Sequence, residues 1–234
     1  QSLPVHLEIA HKFGFKPFKY AHTPSICVLD ENGNKRKISK RKDPFADVRF
    51  FLKKGYPTTA VVEYLLNLLN SDFELWRKQN PNLPYTEFPF SIKKIGVTNP
   101  MFDFAKINDI SKTIISKLTA EQVYENAVAW AKEWDEQAYK TISENKERLL
   151  QVLSIDRGGE RPRKDITYYS EVVDLYSYVL PGFNLDNVSV ELGQVNRDSL
   201  VEFLTDYALN YVCLASNQDW FEDLKQKSAK YNFV

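Results

Sequence analysis

Cysteine is almost missing from this sequence: Cys27 and Cys213 are the only two among 234 residues. Far apart as they are, they exclude a disulfide framework and lack the paired spacing of a zinc site. They read as incidental thiols of a reducing compartment, so no metal site is expected and a cytoplasmic location is. Long apolar runs are absent too. No stretch approaches the roughly 18 residues that a membrane span needs, and the N-terminus lacks the succession of features that marks a signal peptide. Nor is there an excess of either charge, because 31 basic residues meet 31 acidic ones. Net charge alone therefore does not gather polyanions here, and any such binding must come from local clustering. What is present is 43% hydrophobic and 26% charged, the make-up of an ordinary soluble globular chain. The length allows one large domain or two to three small ones.

The sequence opens without Met and enters a helix pattern at once. Ser2 serves as cap, Pro4 fits the first turn, Val5, Leu7, Ile9 and Ala10 are apolar, and Gly14 is the stop. It closes just after another amphipathic helix, and both ends read as cuts in a longer polypeptide. Ser25 to Asp30 is a short β-like run ending in the turn signal Glu31-Asn32-Gly33-Asn34. Asp43-Pro44 reads as a cap and first-turn proline for a helix through Val48, Phe50, Phe51 and Leu52 to Gly55. Pro57-Thr58-Thr59 opens a helix that is apolar nearly all round and so should be buried. A short helix with Phe73, Leu75 and Trp76 follows. Four prolines between 81 and 100 leave a loop with at most a brief turn or strand, and 101–104 is extended.

Helix resumes from about Ala105 to Lys117. Thr119-Ala120-Glu121-Gln122 matches a capping box, and the helix behind it continues to about Leu153 with a break near Asp135. The basic loop from Arg157 to Lys164 interrupts the pattern. Helices are then expected over Tyr168 to Leu180, Asp198 to Leu214 and Asp219 to Tyr231. The fold class predicted is mainly α with minor β near the start. There is no internal repeat.

One motif is sharp. Six of the eight residues from Lys35 to Lys42 are basic, and within them stands Lys37-Ile38-Ser39-Lys40-Arg41, between a strand-and-turn and a helix. Two lysines three apart with a hydroxyl between them suit a loop that follows a moving phosphate, since ammonium groups act as point charges. Ser39 and the backbone N–H groups beside it add neutral donors. The five residues alone fit equally a solvated basic loop, or a nucleic-acid patch read only by charge.

The surrounding order narrows this. His22-Thr23-Pro24, the strand, the D-E-N-G turn and K-I-S-K-R follow a helix carrying Leu3-Pro4-Val5-His6-Leu7 and ending Phe13-Gly14-Phe15. Together they resemble the last part of the catalytic domain of glutamyl-tRNA synthetases, class I enzymes of bacterial type. Lys53-Lys54-Gly55-Tyr56-Pro57 with the following Val62 to Asn67 is similar to that family's "GYLPEALLNYL" helix entry. Phe102 to Asn108 is similar to its "FDxxKLN" segment. The resemblance is clear over residues 3–70 and 101–118 and collinear to the end.

The resemblance implies the end of a class I nucleotide-binding domain over residues 1–46, a stem-contact domain over 47–150, and the start of an α-helical anticodon-binding region over 151–234. It implies that Lys37, Ser39, Lys40 and Arg41 close over ATP phosphates, with Lys37 and Lys40 as catalytic lysines. His22 either orients that loop or is an ordinary packed or hydrogen-bonded histidine. Arg157, Arg161, Arg163 and Lys164, with two glycines among them, are candidate contacts to the tRNA backbone; a merely solvated loop is the alternative. The implied partners are tRNA-Glu, glutamate, ATP and Mg2+, with no DNA and no membrane.

Two departures stand out. The histidine-containing "HIGH" element of class I synthetases is absent, so the chain by itself is expected to be inactive. Asp43 stands where many relatives carry Gly, and reads as a helix cap. The competing reading is a non-catalytic helical module that binds tRNA or protein. Helical periodicity after residue 104 argues against the β-barrel C-terminal region of glutaminyl-tRNA synthetases.

Overall fold

The computed structural model describes residues 2–16, 18–183, 192–193, 195–212 and 216–231. Cys213 lies outside them. The chain divides into two compact units, residues 1–183 and 184–234.

In the first unit, α1 (Leu3–Lys12) has proline in its first turn and His11 and Lys12 in its last, where positive charge complements the helix dipole. Of its residues only Ala10 is buried. The strands β1 (Cys27–Leu29) and β2 (Lys35–Lys37) pair antiparallel in the register Cys27↔Lys37. Asp30 closes the turn between them, its carboxylate accepting from the N–H groups of Asn32 at 2.9 Å and Asn34 at 2.8 Å. Residues 100–102 extend this edge: Cys27 N donates to the Pro100 carbonyl at 2.9 Å and Phe102 N to the Cys27 carbonyl at 2.8 Å.

A single 3-10 turn, Pro44–Ala46, then leads to α2 (Val48–Lys54). The expected cap at Asp43 is not the cap. Asp47 holds that position, its carboxylate accepting from Arg49 N, while the Asp43 carboxylate is committed elsewhere. The helix α3 (Thr58–Leu69) is buried at Ala60, Val61, Glu63 and Tyr64, but Leu65 is exposed. It is a half-buried helix rather than the fully buried one its composition predicts. After α4 (Asp72–Gln79) come two 3-10 turns, Tyr85–Glu87 and Ile92–Lys94, and α5 (Phe104–Ser116), capped by Asp103.

The capping box of Thr119 and Gln122 is formed and opens α6 (Ala120–Trp134); Asp135 breaks the run and caps α7 (Glu136–Glu144), followed by α8 (Lys146–Ser154). The region predicted as one helix from Tyr168 to Leu180 is broken. It consists of a 3-10 turn at Tyr169–Glu171, the single-turn α9 (Val172–Leu175), and another 3-10 turn at Ser177–Val179. In the second unit, α10 (Arg197–Leu209) and α11 (Asn217–Ala229) are capped by Asn196 and Ser216. Phe203 stacks on Tyr207 and meets Tyr231 edge-on.

Two cores organise the first unit. The larger gathers Val123, Ala127, Ala131, Ile142, Leu149, Leu153, Ile166 and Val172 from α6 to α9; the smaller joins Phe51, Tyr56, Val61, Tyr64 and Ile107. They meet at Gly55. Its φ of +81° is a left-handed conformation, and an added Cβ would lie 2.9 Å from Tyr169 N and 3.0 Å from Ser170 N. The Gly55 carbonyl accepts from Tyr169 N at 2.9 Å, and the Trp130 indole donates to the Lys53 carbonyl at 3.0 Å. The Tyr169 bond satisfies a first-turn N–H that has no partner within a helix. Replacing Gly55 with Ala is expected to destabilise the first unit by at least about 2 kcal/mol, because backbone strain adds to a clash with backbone atoms. A denaturant midpoint unchanged from the parent chain would refute this role.

Candidate functional site

The basic run is built by alternation. Along β2, Lys35 and Lys37 are exposed while Arg36 turns the other way, as successive strand residues must. The Arg36 guanidinium makes a two-pronged bond to Asp43, Nη1 to Oδ2 and Nη2 to Oδ1, both at 2.7 Å. Asp43 is buried and accepts a third bond, from Ser39 N at 2.8 Å. Ser39 in turn accepts at its carbonyl from Lys42 N at 3.0 Å and Asp43 N at 2.7 Å. A carboxylate and a guanidinium thus pin both ends of the turn from Ser39 to Asp43. Charge-assisted bonds of this forked kind fix geometry as well as energy.

Bonds from Arg36 and from Ser39 N hold the Asp43 carboxyl well below its ordinary range, at about 2, against the opposing effect of burial. Arg49 does the same to Asp47, likewise to about 2. Around the pinned turn Lys37, Lys40, Arg41 and Lys42 are exposed, and among the described residues none of them forms an ion pair. Four exposed cations without ion pairs among the described residues ring a fixed turn that also offers the Ser39 hydroxyl, Lys42 feeling the Asp43 charge and Lys40 that of Asp47. Chemically, that arrangement can neutralise a polyphosphate. His22 lies exposed on the irregular segment before β1.

The second candidate group separates into two pairs. The Arg157 guanidinium is 3% exposed. It donates from Nε to the Leu153 carbonyl at 2.8 Å and from Nη1 to the Ile115 carbonyl at 3.0 Å, satisfying the C-terminal ends of α8 and α5. Burial lowers its proton affinity. Arg163 pairs with Asp165 at 2.8 Å and donates to the Val152 carbonyl and the Tyr176 hydroxyl, each at 3.0 Å. These two arginines are framework. Arg161 and Lys164 remain at the surface, the Lys164 ammonium donating to Thr113 Oγ1 at 2.9 Å. Arg163 N also bonds the Asp156 carbonyl at 2.8 Å, so the loop is a closed turn with Arg161 near its tip.

Sequence reasoning missed the Arg36–Asp43 clamp. The signal was available, since period-two alternation in a K-R-K strand sends the middle residue to the opposite face. It also missed the buried ion pair of Glu63 with Arg77, 2.6 Å at its closest, for which no local pattern exists.

The described chain is mainly helical and carries a pinned basic loop on a small hairpin. The chain is 37% identical over 230 residues to the glutamate–tRNA ligase of Clostridium beijerinckii, covering 96% of this chain and 41% of that protein. It is 35% identical over 236 residues to that of Clostridium perfringens, covering 100% and 43%. The chain is related, over nearly all its length, to one segment of the glutamate–tRNA ligases. The fold is that of a solved glutamate–tRNA synthetase from Elizabethkingia anophelis, with a TM-score of 0.55 at 13% identity over 98% of this chain and 44% of that one. No protein-family model matches. The chain spans less than half the length of the curated relatives it matches. Among the described residues no helix is long and apolar enough to cross a membrane.

The clamp has a pH signature. A carboxyl with its value lowered to about 2 contributes stability that is fully present above its unfolded value near 3.8. That contribution is lost as pH falls through about 2. Replacing Arg36 with Gln should move the Asp43 titration, followed by carboxyl-carbon NMR, up toward the ordinary range. An Asp43 that titrates identically in both proteins would contradict the clamp.

Proposed function

We propose that this segment works within a glutamate–tRNA ligase that activates glutamate with ATP and transfers it to tRNA-Glu, and that it supplies the ATP-phosphate loop and tRNA contacts. The observation that carries the reading is collinear identity across the whole chain to ligases of that name, with the lysine loop held as a pinned cationic turn. In this scheme residues 1–46 end the class I nucleotide-binding domain, 47–150 form the stem-contact domain, and 151–234 begin the helical anticodon-binding region.

The roles follow from the chemistry. Glutamate carboxylate attacks the α-phosphate, and negative charge grows on the departing pyrophosphate. Lys37 and Lys40 would neutralise that charge, with the Ser39 hydroxyl and Arg41 as further donors. Lys40 sits exposed on the turn between the two Asp43-anchored ends. His22, exposed before β1, would orient that loop at the ATP site. Mg2+ would arrive with the ATP phosphates; among the described residues no cluster of acidic or histidine side chains is placed to hold it. Arg161 and Lys164 would meet the tRNA backbone, with Arg157 and Arg163 shaping the loop that presents them. Without the remainder of the active site, the chain alone should not activate glutamate.

Two measurements test this. This chain should bind tRNA-Glu in preference to an unrelated tRNA, with log affinity falling linearly against log salt. Arg161→Ala should reduce that slope by about one. Inserted in place of the matching segment of the Clostridium beijerinckii ligase, the chain should support ATP–pyrophosphate exchange, and Lys40→Ala should lower it roughly 100-fold. Exchange indifferent to Lys40 would leave a non-catalytic helical module. Absence of tRNA binding at low salt would remove the assigned contacts.

A further inference from the structure

Away from the lysine loop, a cleft of about 750 Å3 opens between α3, α4 and α5, a size typical of small-molecule sites. One wall is apolar, made by Leu83, Pro84, Tyr85 and Ile110. The floor is the ion pair of Arg77 with Glu63, made by Nη2 to Oε1 at 2.6 Å and Nε to Oε2 at 3.1 Å. Through Nη1 the same guanidinium holds the carbonyls of Asn80 at 2.8 Å and Leu83 at 2.6 Å. The wall is therefore preorganised by a half-buried side chain whose charge is already spent on Glu63.

Lys117, which also lines the cleft, feels the Glu63 charge but forms no ion pair with it. The Lys117 ammonium donates to the Pro81 carbonyl, and among the described residues no carboxylate forms an ion pair with it. One turn earlier on α5, Thr113 accepts from the Lys164 ammonium at 2.9 Å, which brings a second cation to the same rim. Partial burial, with the nearby Arg77 charge, lowers the proton affinity of Lys117. An anion placed there would reverse that tendency. The remaining lining charges are placed differently: Lys78 and Lys106 share Glu74 at 3.2 and 2.8 Å, and Asp109 is exposed on α5.

We propose that this cleft binds a small organic anion with a flat apolar body. Its charged group meets Lys117 and Lys164, and its body lies against Leu83, Tyr85 and Ile110. Apolar wall and a cation that forms no ion pair among the described residues line one cavity, a pairing that selects an amphipathic anion over either an inorganic ion or a neutral hydrocarbon. The site is separate from the lysine loop and does not rest on the tRNA reading.

The test is a titration of the 234-residue chain with 2-naphthoate, followed by ligand-observed NMR and calorimetry. Its neutral analogue 2-naphthalenemethanol and inorganic phosphate serve as comparisons. Saturable binding is expected, weakened roughly tenfold or more in the neutral analogue and by Lys117→Gln, weakened by Leu83→Ser, and unchanged by Lys40→Ala. Thermal melts of the two cleft variants verify that they remain folded. No saturable binding of naphthoate overturns the proposal. So does equal affinity for the neutral analogue, which would mean unselective apolar contact. Full affinity in Lys117→Gln overturns it independently of the analogue result, and loss in Lys40→Ala would move the anion to the basic loop.

Discussion

A run with six cations in eight residues repels itself, and it can be folded into a tight turn only if some of that charge is taken up from within. Arg36 and Asp43 do this. The middle residue of a three-residue strand turns its guanidinium beneath the turn and meets a buried carboxylate at 2.7 Å through both nitrogens. The same carboxylate takes the Ser39 N–H. One acid thereby closes the turn from both sides and removes one cation from the repulsion, leaving the others facing outward. Because that carboxyl is held at about 2, the clamp stays ionised throughout the neutral range.

The clamp is tied to the rest of the unit through a short rigid path. Phe45, two residues past Asp43, packs its ring 4.7 Å from Phe102 and 5.1 Å from Phe104. Phe102 in turn is bonded through its N–H to Cys27 of β1. From there α2 runs for about 10 Å to Gly55, whose backbone touches that of Tyr169. Tyr56 continues the contact, its ring 5.1 Å from Tyr168 and its hydroxyl donating to Asn108 Oδ1 at 2.5 Å. The helix α2 is thus held at both ends by non-local contacts.

The pattern of what the sequence discloses follows from which forces are local. Caps are local, so the box of Thr119 with Gln122 and the break at Asp135 are legible, and so is the amphipathic face of α6. The basic loop is legible as composition and order. Asp43-Pro44 misleads because an aspartate before proline has the form of a helix start, whereas a side chain seven residues earlier claims its carboxylate. Tyr168 to Leu180 misleads too. Its apolar spacing is helical, yet the segment divides into a capped 3-10 turn, one α turn and a second 3-10 turn. The loop from Arg157 to Lys164 shows its charge in the sequence but not its division. Which arginine caps a neighbouring helix depends on where α5 and α8 end in space.

That division has a chemical regularity. The cations drawn inward in the first unit are arginines: Arg36 to Asp43, Arg77 to Glu63, Arg157 to two helix ends, and Arg163 to Asp165. The cations left at the candidate contact surfaces are mostly lysines, namely Lys37, Lys40, Lys42, Lys117 and Lys164. A planar guanidinium offers five donors in a fixed fork and never loses its charge, so it can satisfy several buried acceptors at once. An ammonium on a flexible stem is costly to bury and well suited to following a phosphate that moves. A chain with no net charge can therefore still present cationic surfaces, because the acids beside them, Asp43, Glu63 and Asp165, are spent on arginines that hold the fold.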